Sequence, residues 1–153
     1  MDYIKEIRSL VGHRPLLLCG SGAYIVKDGS VLLQRRKDNG LLSNHGGLME
    51  PGESTEETMR REVLEETGLT VTKAALLCVT SGQEVHHIYE NGDECYFVDT
   101  VYLVTDFEGE MHPQESEVSE LIWYPIDALP PESDLNPADR PSFRALKAHL
   151  RVG

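Results

Sequence analysis

The stretch GLMEPGESTEETMRREVLEETGL, Gly47–Leu69, sets seven glutamates (Glu50, Glu53, Glu56, Glu57, Glu62, Glu65 and Glu66) against two arginines, Arg60 and Arg61. Its local structure is written at both ends. Ser54 followed by Glu57 makes a capping box, in which each side chain satisfies the other's free backbone N–H, so a helix starts just after Gly52-Glu53. Gly68 ends it, because the left-handed C-cap carries no penalty at a residue without Cβ. In the first half of the helix Glu56 precedes Arg60, and Glu57 precedes Arg61, by four residues, the favourable order for surface ion pairs. The second half is different. Glu62 and Glu66 sit one turn apart, Glu65 shares their arc, and no lysine or arginine follows any of them at four residues. Like charges so placed cost about 0.2–0.5 kcal/mol per pair, and the partially negative helix end adds to that cost. Acidic runs are usually solvated faces. Here the flanking glycines and the uncompensated carboxylates point to a cation instead. Carboxylate oxygens are hard ligands suited to Mg²⁺ or Mn²⁺, and no histidine or cysteine joins them as a zinc site would require.

Position by position this stretch resembles the Nudix box: a glycine, five residues, Glu, seven residues, Arg-Glu, an aliphatic residue, any residue, Glu-Glu, any residue, Gly, an aliphatic residue. Gly47, Glu53, Arg61, Glu62, Val63, Glu65, Glu66, Gly68 and Leu69 fill those positions without departure. A looser likeness covers Glu115–Trp123 (ESEVSELIW) and the Asp127-Ala128-Leu129-Pro130 that follows. The resemblance to the Nudix (MutT-like) hydrolases implies an α/β/α sandwich with a mixed β-sheet and the box as loop–helix–loop. It implies a metal-dependent pyrophosphohydrolase, in which an activated water attacks phosphorus in the pyrophosphate linkage of a nucleoside diphosphate derivative. Nucleotide sugars, ADP-ribose-type compounds and nucleoside triphosphates all remain open.

Carried over residue by residue, the resemblance makes Glu62 and Glu66 direct metal ligands and Glu65 a ligand, a holder of metal-bound water, or the general base. It lets the backbone at Gly46 and Gly47 approach metal or phosphate closely. Arg61 would orient a glutamate, and Glu53, in the loop before the N-cap, would swing over the same site. A base can also lie in a distant loop, and of Glu115, Glu117 and Glu120 the spacing to Trp123 favours Glu117. One departure stands out: many members read Leu-Pro-Gly-Gly before the box, where this chain reads Ser43-Asn44-His45-Gly46-Gly47. His45 is then either a substrate-side group or a loop residue that is solvated or hydrogen-bonded locally. A non-catalytic, ligand-sensing Nudix-fold module is the alternative from another class; it would carry a degraded box, and this box is intact. An acidic cation-binding protein would need neither the glycine pair nor Arg61.

The 153 residues suit one domain, 1–153, with an N-terminal helix over 1–14 and the box at 47–69. The 14 Lys and Arg against 26 Asp and Glu give a net charge of −12, which argues against a nucleic-acid polymer or an anionic membrane as partner. A small-molecule nucleotide stays compatible once a cation neutralises the local charge. No apolar run approaches the roughly 18 residues of a spanning helix, and Met1–Leu10, with Asp2, Lys5, Glu6 and Arg8, does not read as a signal peptide. Cys19, Cys78 and Cys95 are odd in number and widely spaced, which suits reduced thiols in a cytoplasmic protein rather than a disulfide framework.

Elsewhere Tyr3, Ile4, Ile7, Leu10 and Val11 form a helical apolar stripe that is either a core cover or a homodimer contact. Ala23–Lys27 and Val31–Arg36 read as strands of a hairpin turned by Asp28-Gly29, and Lys37–Gly47 as loop. Val71–Thr80, Val85–Tyr89, Cys95–Thr105 and Leu121–Tyr124 read as strands, with a second hairpin signal at Asn91-Gly92 and polar loop over Phe107–Glu120. Pro125–Pro131 reads as a turn or short helix. Ser142–Leu150 closes the chain as a helix. The layout is α+β. Strand alternation should send His86 and His87 to opposite faces, so that at most one reaches a pocket. Tyr89, Tyr96, Tyr102 and Phe97 are core residues or base-stacking platforms.

Overall fold

At the Asp28-Gly29 turn both residues take positive φ, 51° and 75°, the geometry that joins two twisted antiparallel strands with least strain. It connects β1 (Leu16–Lys27) to β2 (Ser30–Arg36). The computed structural model describes residues 2–151; Met1, Val152 and Gly153, included in the expected domain and helix bounds, lie outside it. Two short strands follow, β3 (Leu42–Ser43) and β4 (His45–Leu48), then helix α2 (Thr55–Thr67) and strand β5 (Thr70–Thr80). A 3₁₀ turn at Gln83–Val85 leads into β6 (His86–Ile88), β7 (Glu94–Glu108) and β8 (Val118–Pro125). Three further 3₁₀ turns precede the closing helix α3 (Arg140–Leu150).

β7 runs parallel to β1 from Leu16↔Cys95 to Ile25↔Val104 and pairs antiparallel with β5 and β6. β1 pairs with β2 through Ile25–Lys27 and with β4 through Gly20–Ala23, and β8 lies antiparallel to β2. The sheet is therefore mixed, as expected. Its two faces carry separate cores. Ala23, Ile25, Leu32 and Val104 pack with Met59 and Val63 of α2 on one face, and Tyr24, Val31, Leu33 and Val101 pack with Phe143 and Leu146 of α3 on the other. Adjacent β1 residues serve opposite cores, which is the period-2 alternation of a strand buried on both sides.

The expected loop 37–47 is a correction, since it contains β3 and the start of β4. Neither strand carries β-propensity of its own; β4 exists because glycines let it lie against β1. A Cβ on Gly46 would stand 2.7 Å from Gly22 Cα and from the Ser21 carbonyl. The polar loop shrinks in turn, because β7 extends through Glu108 and β8 begins at Val118. At the N-terminus Asp2 caps α1 (Tyr3–Val11), accepting from Ile4 N at 2.9 Å. None of its residues is fully buried, so the core-cover reading is too strong. Among the described residues no helix is long and apolar enough to cross a membrane, and Cys19, Cys78 and Cys95 are free thiols.

Candidate active site

Helix α2 is built as its sequence dictates. Ser54 Oγ accepts from Glu57 N at 3.0 Å, Glu57 returns a bond to Ser54 N, and Gly68 closes the helix at φ 79°. Thr55 Oγ1 meets the Tyr102 hydroxyl at 2.7 Å, which ties the first turn to β7 and occupies Tyr102 as a structural partner. The other end is stitched to the segment after β7: His112 N donates to the Thr67 carbonyl and Gln114 N to that of Glu66. These bonds satisfy carbonyls that a helix end leaves open and bring Glu117 toward the acidic face.

Arg61 organises the box. Its Nε and Nη2 grip Glu53 bidentately at 2.8 and 2.9 Å, Nη2 also reaches the Leu48 carbonyl, and Nη1 lies 2.8 Å from Glu62 Oε1 and 3.5 Å from Glu65. Glu53 further accepts from Glu50 N and Thr58 Oγ1, and the Arg61 fork first of all pulls its carboxyl down to about 2. Glu53 is thus fastened to Arg61, where the sequence suggested a loop acid free to swing: eight residues from Arg61 in sequence, it is brought within reach by the turn at Gly52. Glu65 stays exposed.

The inner pair differs. Glu66 is 4% exposed. Its Oε1 accepts from Gln34 Nε2 at 3.1 Å, while Oε2 is buried without a hydrogen-bond partner among the described residues. Burial raises the Glu66 carboxyl well above the usual range; Gln34 and, more weakly, the Gly46 backbone N–H oppose this, and the charges of Glu62 and Glu117 add to it. Glu62 is raised as well, by burial first, with Arg61 opposing and Glu65 and Glu117 adding. Gly47 leaves room for it, because a Cβ there would stand 2.5 Å from the Glu62 carboxylate. Among the described residues no three His, Cys, Asp or Glu side chains converge into a closed metal cage. What exists is an orphaned carboxylate oxygen beside a second carboxylate, a set that fits a hard cation whose remaining ligands come from water and substrate oxygens.

Beside these residues lies a cavity of about 730 Å³ bordered by Gly46, Gly47, Glu66 and Glu117. His86, His87, Tyr89 and Phe97 border it too. That both histidines do so corrects the expectation that at most one reaches a pocket: β6 is three residues long and, among the described residues, pairs only with β7, which leaves its outer edge free. Tyr96 instead stacks on His86 at 4.4 Å. His45 takes the hydrogen-bonded alternative, and the correction concerns its place, a strand in the interior instead of a loop. It is fully buried in β4, its ring nitrogens meeting Gln34 Oε1 at 3.1 Å and the Leu32 carbonyl at 2.9 Å, and burial lowers it to about 4. It is a buried strut behind Gln34, neither solvated nor facing substrate.

Three groups escaped the sequence reading. Gln34 holds Glu66, and Asp99 and Asp139 border the cavity. Asp99 has one legible trace: Gly20, its β1 neighbour, has no space for a Cβ, which would lie 2.5 Å from Asp99 Oδ1. Burial raises Asp99 to about 6, and burial with the nearby Asp99 charge raises Asp139 to about 7. A carboxyl raised on folding binds its proton more tightly in the folded state. The stability it contributes is complete below the unfolded value and disappears as pH rises through the folded one. Asp139→Asn should therefore gain stability relative to the parent between pH 4 and pH 8, by about 1–3 kcal/mol. Urea unfolding at both pH values measures this, and parallel profiles would contradict it.

The NUDIX domain profile matches residues 20–146. An NAD-capped RNA hydrolase NudC of Pseudomonas fluorescens is 34% identical over 113 residues, covering 70% of this chain and 36% of that protein. This chain thus spans little more than a third of that relative. An oxidized purine nucleoside triphosphate hydrolase of Danio rerio is 32% identical, covering 69% of this chain and 65% of that protein. Among solved structures, a MutT NUDIX hydrolase from Burkholderia pseudomallei superposes with a TM-score of 0.72 at 33% identity, covering 86% of this chain and 98% of that one.

Proposed function

This chain belongs to the Nudix family, and from that premise we propose that it hydrolyses the pyrophosphate linkage of a small nucleoside diphosphate derivative with Mg²⁺ or Mn²⁺ as cofactor. The observation that carries the reading is the orphaned, buried Glu66 Oε2 beside Glu62, at the border of a cavity of about 730 Å³. Glu62 and Glu66 would hold the cation, with the backbone at Gly47 close by. When bound, a divalent cation lowers the pKa of water and neutralises charge on the phosphates. The chain's own residues do the rest. Arg61 fixes Glu62 by its Nη1, and Glu53 holds Arg61 in register. Gln34, braced by His45, fixes the Glu66 carboxylate so that its free oxygen faces the site. Phe97 and Tyr89 offer apolar surface to a base. The relatives named above are described as acting on an NAD-capped RNA and on a nucleoside triphosphate, and both substrates contain the proposed linkage.

The test is a panel of nucleoside triphosphates, nucleotide sugars, ADP-ribose and NAD, incubated with Mg²⁺, with Mn²⁺ and with chelator, products resolved by chromatography. Metal-dependent release of a nucleoside monophosphate or of pyrophosphate is expected; no hydrolysis of any member would overturn the reading. In ¹⁸O-water the label should enter a phosphate product.

Glu117 serves as the base in this reading. It is exposed, borders the cavity and acts on the charges of Glu62 and Glu66. Glu120, by contrast, is held by Arg35 at 2.8 Å, and Glu115 is not among the residues that border the cavity. Glu117→Gln should lower kcat by about 10²-fold with little change in KM, the mark of an interaction made in the transition state. Glu108→Gln, at the end of β7, is the control. Small and equal effects would transfer the role to Glu65.

A further inference from the structure

We infer that Arg8 is a positioning residue: by tying α1 to the turn between β6 and β7 it holds in place the His86–Tyr89 wall of the cavity. The consequence for substrate rests on the nucleotide reading given above. The family match begins at residue 20, so α1 and the start of β1 lie outside it. The start of β1 is held by its pairing with β7 from Leu16 onward. For α1, half-buried Ile4, Ile7 and Val11 supply part of the attachment, though no α1 residue is fully buried. Arg8 supplies the polar part. Its side chain is 12% exposed. Nη1 donates to the carbonyls of Gly12 and Arg14 at 3.0 and 2.6 Å, and Nη2 donates to that of Glu94 at 2.6 Å, 86 residues away. Its Nε stands 3.7 Å from Asp93 Oδ2, whose other oxygen meets His13 at 2.7 Å. One planar guanidinium therefore joins the end of α1, the bend leading into β1 and the far turn, a fork that lysine cannot copy.

From that turn the connection continues into the cavity. Glu94 offers its carbonyl to Arg8 and its carboxylate to His86 Nε2, at 2.7 Å. The turn itself closes by Tyr89 N donating to the Asp93 carbonyl at 2.8 Å. His87 packs edge-on against Tyr89 with ring centroids 4.4 Å apart. His86, His87 and Tyr89 all border the cavity, and β6 pairs with no strand but β7 among the described residues. A three-residue edge strand is a low-stability element whose order depends on such outside fastenings. The acidic cluster on α2 has no part in this chain of contacts.

Arg8→Ala tests the assignment, with Arg14→Ala as control, since among the described residues the Arg14 side chain reaches only the Val11 carbonyl, and its backbone carbonyl stays available to Arg8 in the variant. Amide hydrogen exchange of the metal-free protein is followed over residues 86–94. KM and kcat are measured with whichever panel nucleotide the parent hydrolyses. Arg8→Ala should exchange these amides about tenfold faster and raise KM about fivefold while kcat stays within about twofold; Arg14→Ala should do neither. Unchanged exchange, unchanged KM, a fall confined to kcat, or the same response in Arg14→Ala would each overturn the assignment. If no panel member is hydrolysed by the parent, the nucleotide reading fails by itself, and exchange alone still decides whether Arg8 holds this wall.

Discussion

Glu66→Gln should lower kcat by at least about 10²-fold, because stabilisation of phosphoryl charge is worth several kcal/mol and each 1.4 kcal/mol is a factor of ten. The fold should survive. Glu66 is 4% exposed and one of its oxygens has no partner, so the parent buries charge at a cost that a neutral amide reduces. The metal-free variant should therefore melt no lower than the parent at pH 8. Added Mg²⁺ or Mn²⁺ should raise the melting temperature of the parent according to RT ln(1 + [L]/Kd), and Glu66→Gln should lose most of that response. The thermal measurement needs no substrate, so it examines the cation site separately from the chemistry. Equal metal responses in parent and variant would remove Glu66 from the site.

What the sequence made legible was local. The start and end of α2 follow from Ser54, Glu57 and Gly68, and the first hairpin follows from Asp28-Gly29, since caps and tight turns are specified within a few residues. The charge conflict among Glu62, Glu65 and Glu66 was legible only in part: the reading looked for a cation four residues beyond them, whereas Arg61, preceding them, pairs with Glu62 and Glu65 and leaves Glu66 uncompensated. Features built by distant pairing were not. His45 looked like a loop histidine because nothing near it in sequence announces burial; β4 docks on β1, and the imidazole then lies behind Gln34 and under the Leu32 carbonyl. Glu53 looked mobile because it precedes the helix, whereas Arg61 returns from two turns along to clamp both of its oxygens. Asp139 gave no signal at all: it is one of several acids in a proline-rich segment, and its surroundings come from β2, β7 and the chain near Asn44. Both wall histidines were misjudged by the step from alternation to a single cavity-facing residue, since His86 and His87 both border this cavity.

Neighbouring glycines should separate catalysis from folding. Gly46 and Gly47 are adjacent in β4, and a methyl group at each would strike different things. At Gly46 the added Cβ would stand 2.7 Å from Gly22 Cα and from the Ser21 carbonyl, with Gly22 N at 3.2 Å. All of these are backbone, fixed by the β1–β4 register, so Gly46→Ala must force the strands apart and should cost about 1–3 kcal/mol, the usual penalty of overpacking. At Gly47 the Cβ would meet the Glu62 Oε1 and Cδ at 2.5 Å. That obstacle is the end of a flexible side chain, which can turn away with little strain. Turning away breaks its contact with Arg61 Nη1 and removes Glu62 from its place beside Glu66. Gly47→Ala should consequently keep a melting temperature close to the parent's in metal-free buffer, lose the thermal response to Mg²⁺, and lower kcat by about 10²-fold or more, an effect of the size expected when a charge-stabilising group is displaced. The two variants predict opposite pairings of stability and activity from one methyl group moved along the chain by one residue. A stable, fully active Gly47→Ala protein would show that Glu62 needs no fixed position, and the proposed pair of ligands would reduce to Glu66 alone.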